Sequence, residues 1–198
     1  MKNIIFAAIA FTAAAFGQST YQIDSAHSAA QFSVKHLMVS NVKGEFSKVS
    51  GTVVFDSKNI AASKVDAVID ATTISTREPK RDEHLKSPDF FDVAKFPTLS
   101  FKSKQVSKAG GKVLVKGDLT MHGVTREVTL TLDGVPQEVK DPWGNLRIGT
   151  QASTVVNRKD WGLVWNKNLD GGGVMISDQV TITLDIEAVK AKPATSTN

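Results

Sequence analysis

The chain has 198 residues, enough for one domain with a sizeable hydrophobic core, and a modest net charge of +4. It contains no cysteine, which excludes disulfide bonds, thiolate metal sites and a cysteine nucleophile. Basic and acidic residues are mixed along the chain without a basic stripe, so the charge pattern gives no indication of a nucleic-acid partner.

The first 17 residues have the pattern of a cleaved secretory signal peptide. Lys2 precedes an uncharged apolar run, and Ala15 and Gly17 place small residues at both positions that signal peptidase reads. The run is shorter than the roughly 20 apolar residues that span a bilayer, which argues against a membrane anchor. We therefore predict a signal peptide over 1–17, cleavage before Gln18, and export to the periplasm.

Alternation of apolar and polar side chains runs through most of the remaining chain, and this is the period of a β-strand with one buried face. The apolar sets are Phe32/Val34/His36, Val53/Phe55, Val65/Ala67/Ile69/Ala71, Leu99/Phe101, Val113/Val115, Val128/Leu130/Leu132, Ile148/Ala152 and Val180/Ile182/Leu184/Ile186. We predict one all-β domain over 18–191 with about eight antiparallel strands. Polar and small residues then predict a disordered tail over 192–198.

One segment interrupts the strands with a helical pattern. Residues 77–86 are rich in charge, Pro79 fits a first-turn position, and Ser87-Pro88 ends the pattern. A helix this short is marginal in water by itself. We therefore expect Phe90 and Phe91 to hold it against the wall or mouth of the sheet structure.

Long antiparallel strands with little helix are typical of a closed barrel or a sandwich. Closing about eight strands leaves an interior just large enough for side chains or one slim ligand. A membrane barrel has the same alternation turned inside out. Aromatic residues, however, are only 7% of the chain, with a single tyrosine, and this is too few for two interfacial girdles. An exported barrel with an apolar interior is the favoured prediction.

Four histidines, His27, His36, His84 and His122, are the candidates for a metal-dependent periplasmic enzyme. None forms the local pair that metal sites usually show, and packing near strand ends is the simpler interpretation. No serine lies in a Gly-x-Ser-x-Gly elbow, and the glycines at 171–173 lack the lysine of a phosphate loop. We predict no enzyme activity, no metal and no cofactor, and keep the metal enzyme as an alternative.

Phenylalanines point more strongly to a function, although for any single one a place in an ordinary core is the simpler interpretation. If several face inward, they would line an apolar tunnel that gains about 25 cal/mol for each Å² of apolar ligand surface it covers. The predicted tunnel residues are Phe32, Val34, Phe46, Phe55, Phe90, Phe91, Phe96 and Phe101.

Blocks of the sequence, in this order, resemble the YceI-type polyisoprenoid-binding family of secreted lipocalin-like barrels. The central block is RDEHLKSPDFFD at 81–92, and the others lie at 21–28, 32–36, 42–46, 50–51, 96–97, 101–103, 115–125 and 157–162. The resemblance covers about residues 21 to 190. It implies an extended lipocalin-like barrel holding a long amphiphile, such as a polyisoprenoid, an isoprenoid quinone or a related lipid, and it does not imply catalysis.

A lipid headgroup would need a few hydrogen-bond donors at the tunnel end. The candidates near the matched blocks are His27, His36, His84, Arg81, His122 and Arg158. Arginine would give a paired, permanently charged contact to phosphate, and histidine a pH-dependent one.

The expected function is a periplasmic binding or carrier protein for a long-chain lipid, with no nucleic-acid partner. Transient membrane contact fits this function, and both a monomer and a homodimer remain open. Besides the metal enzyme, the alternative is a barrel with a filled interior that serves as a protein-interaction module.

Overall fold

The computed structural model describes residues 18–192, which form one antiparallel sheet. The predicted signal peptide over 1–17, and all of the predicted tail except Lys192, lie outside the described residues. The strands are β1 (Gln18–Ile23), β2 (Ala29–His36), β3 (Ser40–Phe46), β4 (Val49–Asp56), β5 (Lys64–Asp70), β6 (Ile74–Ser75), β7 (Thr98–Ala109), β8 (Lys112–Met121), β9 (Val124–Leu132), β10 (Glu138–Lys140), β11 (Leu146–Asn157) and β12 (Ile176–Lys190), and α1 is Pro79–Lys86.

The strands close into a barrel of eight long strands. Three of these strands are interrupted: β1 continues as β2, β3 continues as β4, and β5 continues as β6. The strand made of β1 and β2 forms a hairpin with the strand made of β3 and β4, through the pairs β2–β3 and β1–β4. The ring closes at β12, which pairs with β11 on one side and with β1 and β2 on the other. The prediction of an antiparallel all-β barrel with one short helix is confirmed.

Two aspartates explain where two of the three interrupted strands break, between β1 and β2 and between β5 and β6. The side chain of Asp24 accepts a hydrogen bond from the Ala26 amide at 3.0 Å, and that of Asp70 accepts one from the Thr72 amide at 3.0 Å. Each aspartate thereby caps a single 3₁₀ turn, which offers the backbone an alternative to the sheet ladder. The chain bends at these turns and then rejoins the barrel.

Helix α1 begins two residues later than the sequence pattern predicts. Arg77 adopts the left-handed conformation, with φ of 64°, and Glu78 caps the helix by accepting from the amides of Lys80 and Arg81 at 3.2 and 2.6 Å. Pro79 occupies the first turn, as expected.

Phe90 and Phe91 hold α1 as expected. The Phe91 ring lies edge-on to Phe46 of the barrel wall, with centroids 5.5 Å apart, and the Phe90 ring lies 5.3 Å from Trp165. The Phe91 amide also donates to the carbonyl of Leu85 at 3.0 Å, which satisfies an acceptor at the helix end. The loop after the helix therefore fastens α1 across one end of the barrel.

The interior differs between its two ends. At the end where β1 begins, Tyr21, Phe55, Ile148 and Ala188 form a buried cluster that fills the barrel. The Tyr21 hydroxyl donates to the Glu138 carboxylate, and burial, followed by this carboxylate, raises the tyrosine pKa to about 12. Toward α1, the interior stays partly open.

Candidate functional site

An apolar cavity of about 410 Å³ lies inside the barrel, between α1 and the inward faces of the surrounding strands. Its size falls in the range of pockets that hold small molecules. The apolar lining residues are Ala30, Phe32, Val34, Val42, Phe46, Ile69, Leu85, Phe90, Phe91, Leu99, Phe101, Leu119, Met121, Val128, Leu130, Val156, Leu163, Trp165, Met175, Ile176, Val180, Ile182 and Leu184. These side chains come from almost every strand, so the barrel as a whole forms the site.

Six of the eight predicted tunnel residues line this cavity. They are Phe32, Val34, Phe46, Phe90, Phe91 and Phe101. Glycines across the strands make room for two of the rings, because a methyl group on Gly44 would overlap the Phe32 ring and one on Gly117 would overlap the Phe101 ring. Because each ring packs closely on glycine backbone, the positions of Phe32 and Phe101 in the cavity wall are fixed.

Phe55 and Phe96, predicted to line the tunnel, do not line the cavity. Phe55 points inward but belongs to the filled end, where its ring centroid is 6.4 Å from that of Tyr21. Phe96 follows the α1 loop, and its ring packs at 5.0 Å against His122 and over Gly123. Phe55 and Phe96 therefore contribute to packing. The filled end of the barrel encloses Phe55, and the loop directs Phe96 away from the cavity.

The ionisable groups that line the cavity are all basic side chains. They are His36, Lys80, Arg81, His84 and Arg158, and Gln31 and Thr154 supply the neutral polar contacts. No carboxylate lines the cavity among residues 18–192. An anionic or oxygen-rich group at this position would therefore meet donors and positive charge in the lining. Behind the lining, the Asp89 carboxylate lies 2.9 Å from His84 Nε2 and the Asp178 carboxylate 3.5 Å from Arg158 Nη2.

These basic groups gather around α1 and Trp165. The His84 ring lies edge-on to Trp165, with centroids 4.9 Å apart, and Arg158 Nη1 donates to the Trp165 carbonyl at 2.9 Å. His36 pairs with Ile176 across the sheet, next to Ser177, whose carbonyl accepts from Arg158 Nε at 3.0 Å. We call His36, Lys80, Arg81, His84 and Arg158 the basic mouth of the cavity.

Arg81 is oriented by neutral acceptors. Its Nε donates to the Thr76 hydroxyl at 2.7 Å and its Nη2 to the Thr76 carbonyl at 2.9 Å. The Thr76 hydroxyl in turn donates to Asp82 at 2.5 Å. Neither Arg81 nor Lys80 forms a salt bridge with any residue in the described part of the chain. Their charge is thus free to meet a ligand.

Arg158 is the buried member of the basic mouth, with 4% of its surface exposed. It pins the segment after β11 by donating to the carbonyls of Leu163, Trp165 and Ser177. Its Nη2 is buried without a hydrogen-bond partner among the described residues, and the Asp178 carboxylate lies 3.5 Å away. Burial lowers the pKa of this guanidinium from its usual value, an effect that Asp178 partly offsets.

Two predicted headgroup residues lie away from the cavity. His27 is on the outside of the barrel, with 60% of its side chain exposed and Nδ1 3.0 Å from Asp24. His122 sits at the β8–β9 turn, where Nδ1 lies 3.0 Å from the Trp161 carbonyl. These two histidines therefore do not join His36 and His84, and the structure does not assemble the metal site of the alternative hypothesis.

One group with metal-binding side chains does exist outside the cavity: Asp24, His27 and Glu187. Arg147 Nη1 already lies 2.8 Å from the Asp24 carboxylate and 2.5 Å from that of Glu187. A guanidinium between the two acids supplies the positive charge that a cation would bring, so this group is a salt-bridge cluster.

Sequence reasoning missed Lys80 and Trp165. Lys80 precedes Arg81 in the predicted helix, and this position next to a headgroup candidate could have identified Lys80 as a further candidate. Trp165 lies in none of the matched sequence blocks, and only the folded chain brings it against His84 and Phe90. The segment over 158–175 crosses the barrel end without regular alternation, and its contacts had no local sequence signature.

A sequence profile of the YceI-like domain matches residues 21–188. The chain belongs to the YceI-like family. Protein YceI of Escherichia coli O157:H7 is 37% identical over 194 residues, covering 97% of this chain and 98% of its own. The resemblance expected from the sequence blocks is confirmed.

Solved structures share the barrel. The YceI protein of Campylobacter jejuni is 28% identical with a TM-score of 0.66, and the match covers 80% of this chain and 90% of that one. BcnA of Burkholderia cenocepacia shows the same fold at 21% identity and a TM-score of 0.69, covering 83% and 98%. A polyisoprenoid binding domain from Saccharophagus degradans shares the fold at 17% identity and a TM-score of 0.62, covering 86% and 98%.

A membrane-spanning helix is absent from the part of the chain that the structure describes, because α1 is short and charged.

Proposed function

We propose that this YceI-like protein binds a polyisoprenoid or a related long-chain lipid, with the chain in the cavity and an oxygen-rich headgroup, such as phosphate, at the basic mouth. The observation that carries the proposal is one cavity whose walls are apolar and whose ionisable lining groups are all basic. A slim hydrocarbon chain satisfies the walls, and an anion satisfies the mouth. The polyisoprenoid binding domain that shares the fold supports the lipid class.

Within the basic mouth, we assign different contacts to different residues. Arg81 and Lys80 form no salt bridge with the residues that the structure describes and lie on α1, so they approach the headgroup from the helix side. Arg158 offers Nη2, which has no hydrogen-bond partner among the described residues, from the barrel side. His36 and His84 complete the mouth, and His84 Nε2 lies 2.9 Å from the Asp89 carboxylate. His27 and His122, which lie away from the cavity, have no headgroup contact in this proposal.

The proposed role is binding or transport of the lipid, without chemistry on it. The YceI-like family and the fold shared with a polyisoprenoid binding domain support this role. A periplasmic location follows from the signal peptide predicted over 1–17, and a carrier in that compartment would shield the apolar chain from water between membranes. Both a monomer and a homodimer fit this proposal.

Native mass spectrometry of protein purified without detergent tests the proposal. We expect a co-purifying lipid mass, and uptake of added polyprenyl phosphate in preference to the uncharged polyprenol of the same length. A stoichiometric metal without lipid would overturn the proposal in favour of the metal enzyme. Failure to take up either lipid would instead favour the protein-interaction module.

A matched pair of variants locates the lipid. Ile182 lines the cavity, whereas Thr181, next to it on β12, is exposed on the outer face. Ile182→Trp places an indole in the cavity and should abolish lipid uptake, while Thr181→Trp should leave it unchanged. Circular dichroism checks that both variants keep the barrel. Equal uptake by both variants would show that the lipid lies elsewhere.

A further inference from the structure

The turn between β2 and β3 combines exposed apolar side chains with an unusual backbone. The Val39 amide donates to the His36 carbonyl at 3.1 Å, and Leu37 and Met38 both have positive φ, 49° and 62°. Two consecutive left-handed residues in a tight hairpin turn are usually Asn-Gly, because side chains with a Cβ resist this conformation. Here the positions hold two large apolar residues.

The apolar side chains of this turn are open to solvent. Leu37 is 37% exposed, Met38 59% and Val39 80%. Met38 and Val39 gain little from the barrel core, and the turn would form more readily with polar residues. A contact outside the molecule explains both the composition and the conformation.

The turn sits beside the cavity. The Leu37 amide donates to the Met175 carbonyl at 2.8 Å, and Met175 itself lines the cavity, as does His36 at the end of β2. The tip therefore directly follows His36 of the basic mouth in the chain, and a backbone hydrogen bond ties it to the cavity lining at Met175. Whatever the tip enters will lie directly against the opening that a lipid would use.

Lysines surround the tip. Lys35 and Lys43 lie on the outer face of the same hairpin, because their neighbours Val34 and Val42 line the cavity. Lys167 is joined to the tip through Met175, whose amide donates to the Lys167 carbonyl at 2.9 Å. Lys35, Lys43 and Lys167 make no salt bridge with the residues that the structure describes, and Glu45 is the carboxylate on the hairpin.

We propose that the β2–β3 turn, Leu37 to Val39, is a membrane-docking tip that inserts into the surface of a bilayer containing anionic lipid. Apolar side chains enter the interface, and the surrounding lysines meet the headgroups. Docking would place the basic mouth at the membrane surface. The role of docking in lipid transfer rests on the proposed function, whereas the contact with the bilayer does not.

Co-sedimentation with vesicles tests the docking tip. The purified protein should bind vesicles of phosphatidylcholine with phosphatidylglycerol, and bind less at high salt. The double variant Leu37→Asn with Met38→Gly carries the residues that the turn prefers. Its partition coefficient should fall by about tenfold or more, while its melting temperature stays equal or rises. Val139→Ser, a control on the separate strand β10 where Val139 is 64% exposed, should bind like the wild type.

A label reports the same contact directly. Because the chain has no cysteine, Met38→Cys and Val139→Cys can each carry one environment-sensitive dye. Vesicles should shift the emission of the dye at position 38 to shorter wavelength and leave that at position 139 unchanged. Absence of vesicle binding by the wild type, or equal binding by the double variant, overturns the docking tip. Native mass spectra of the same samples report the cavity lipid separately, so failure of the tip and failure of the proposed function are distinguishable.

Discussion

Arg147 and Arg158 differ in their hydrogen-bond partners: carboxylates surround Arg147, whereas backbone carbonyl oxygens surround Arg158. Arg147, on the outer wall, contacts the carboxylates of Asp24, Asp141 and Glu187 at 2.5 to 2.9 Å. Arg158, beside the cavity, donates to three carbonyl oxygens, and its Nη2 has no hydrogen-bond partner among the described residues but lies 3.5 Å from the Asp178 carboxylate. The carboxylates raise the pKa of Arg147, whereas burial lowers that of Arg158.

The difference separates structural charge from charge that a ligand can use. Around Arg147, each acid has a partner, and the guanidinium holds β11 to β12 and to the break after β1. At the basic mouth, neutral oxygens fix the position of Arg81, which forms no salt bridge among the described residues, and Arg158 has a single carboxylate, that of Asp178, at 3.5 Å. Positive charge that is held in place but not neutralised is suited to binding an anion.

The largest expected effect is on Arg158, because it is both pinned and buried. Arg158→Met should lower the free energy of unfolding by about 3–5 kcal/mol, since the loop loses its hydrogen bonds and Asp178 loses a partner. Urea unfolding measures the change. Lys159→Met is the control, because Lys159 pairs with the same Asp178 at 2.9 Å but is 44% exposed, and it should cost less than about 1 kcal/mol. Equal losses of unfolding free energy in the two variants would mean that the burial of Arg158 does not contribute to stability.

A smaller effect is expected for Arg147, and it should depend on pH. The hydrogen bond from Arg147, followed by that from His27, lowers the pKa of Asp24 from 3.8 to about 2. A lowered carboxyl pKa stabilises the fold above pH 3.8, and this contribution disappears as the pH falls toward 2. Arg147→Met should therefore be less stable than the wild type at pH 7, and the difference should shrink between pH 4 and 2.

Thermal unfolding at several pH values measures this difference. Asp133→Asn, which removes an exposed acid paired with Lys112 at 3.5 Å, is the control and should leave the acid profile of the wild type unchanged. A gap between Arg147→Met and wild type that stays constant from pH 7 to 2 would contradict the assigned cluster.

The smallest effect is expected for Lys80, an exposed member of the basic mouth. Lys80→Gln should weaken polyprenyl phosphate binding roughly twofold to fivefold, as expected for one solvent-exposed charge pair, and leave the melting temperature unchanged. Lys86→Gln on the same helix is the control, because Lys86 already pairs with Glu83 at 3.4 Å. Titration by native mass spectrometry compares the two. Equal affinities would remove Lys80 from the headgroup contacts.

Patterns among residues that are close together in the chain were sufficient to predict the fold. Alternation such as Val180, Ile182 and Leu184 places these side chains on one face of a strand regardless of neighbours, because side chains of a strand point to opposite sides with a period of two. Pro79 and Ser87 bounded the helix for equally local reasons, with the start displaced by the left-handed Arg77. The ordered blocks gave the family. These features depend on residues close together in the chain.

The tertiary structure decided which inward side chains line a cavity and which fill the barrel. Phe46 and Phe55 face inward on the successive strands β3 and β4, yet one meets open space and the other packs on Tyr21. Arg158 and Trp165 became part of one mouth only when the segment after β11 folded against α1. Alternation gives the direction of a side chain, whereas the free volume before it depends on barrel closure and on side chains from distant strands.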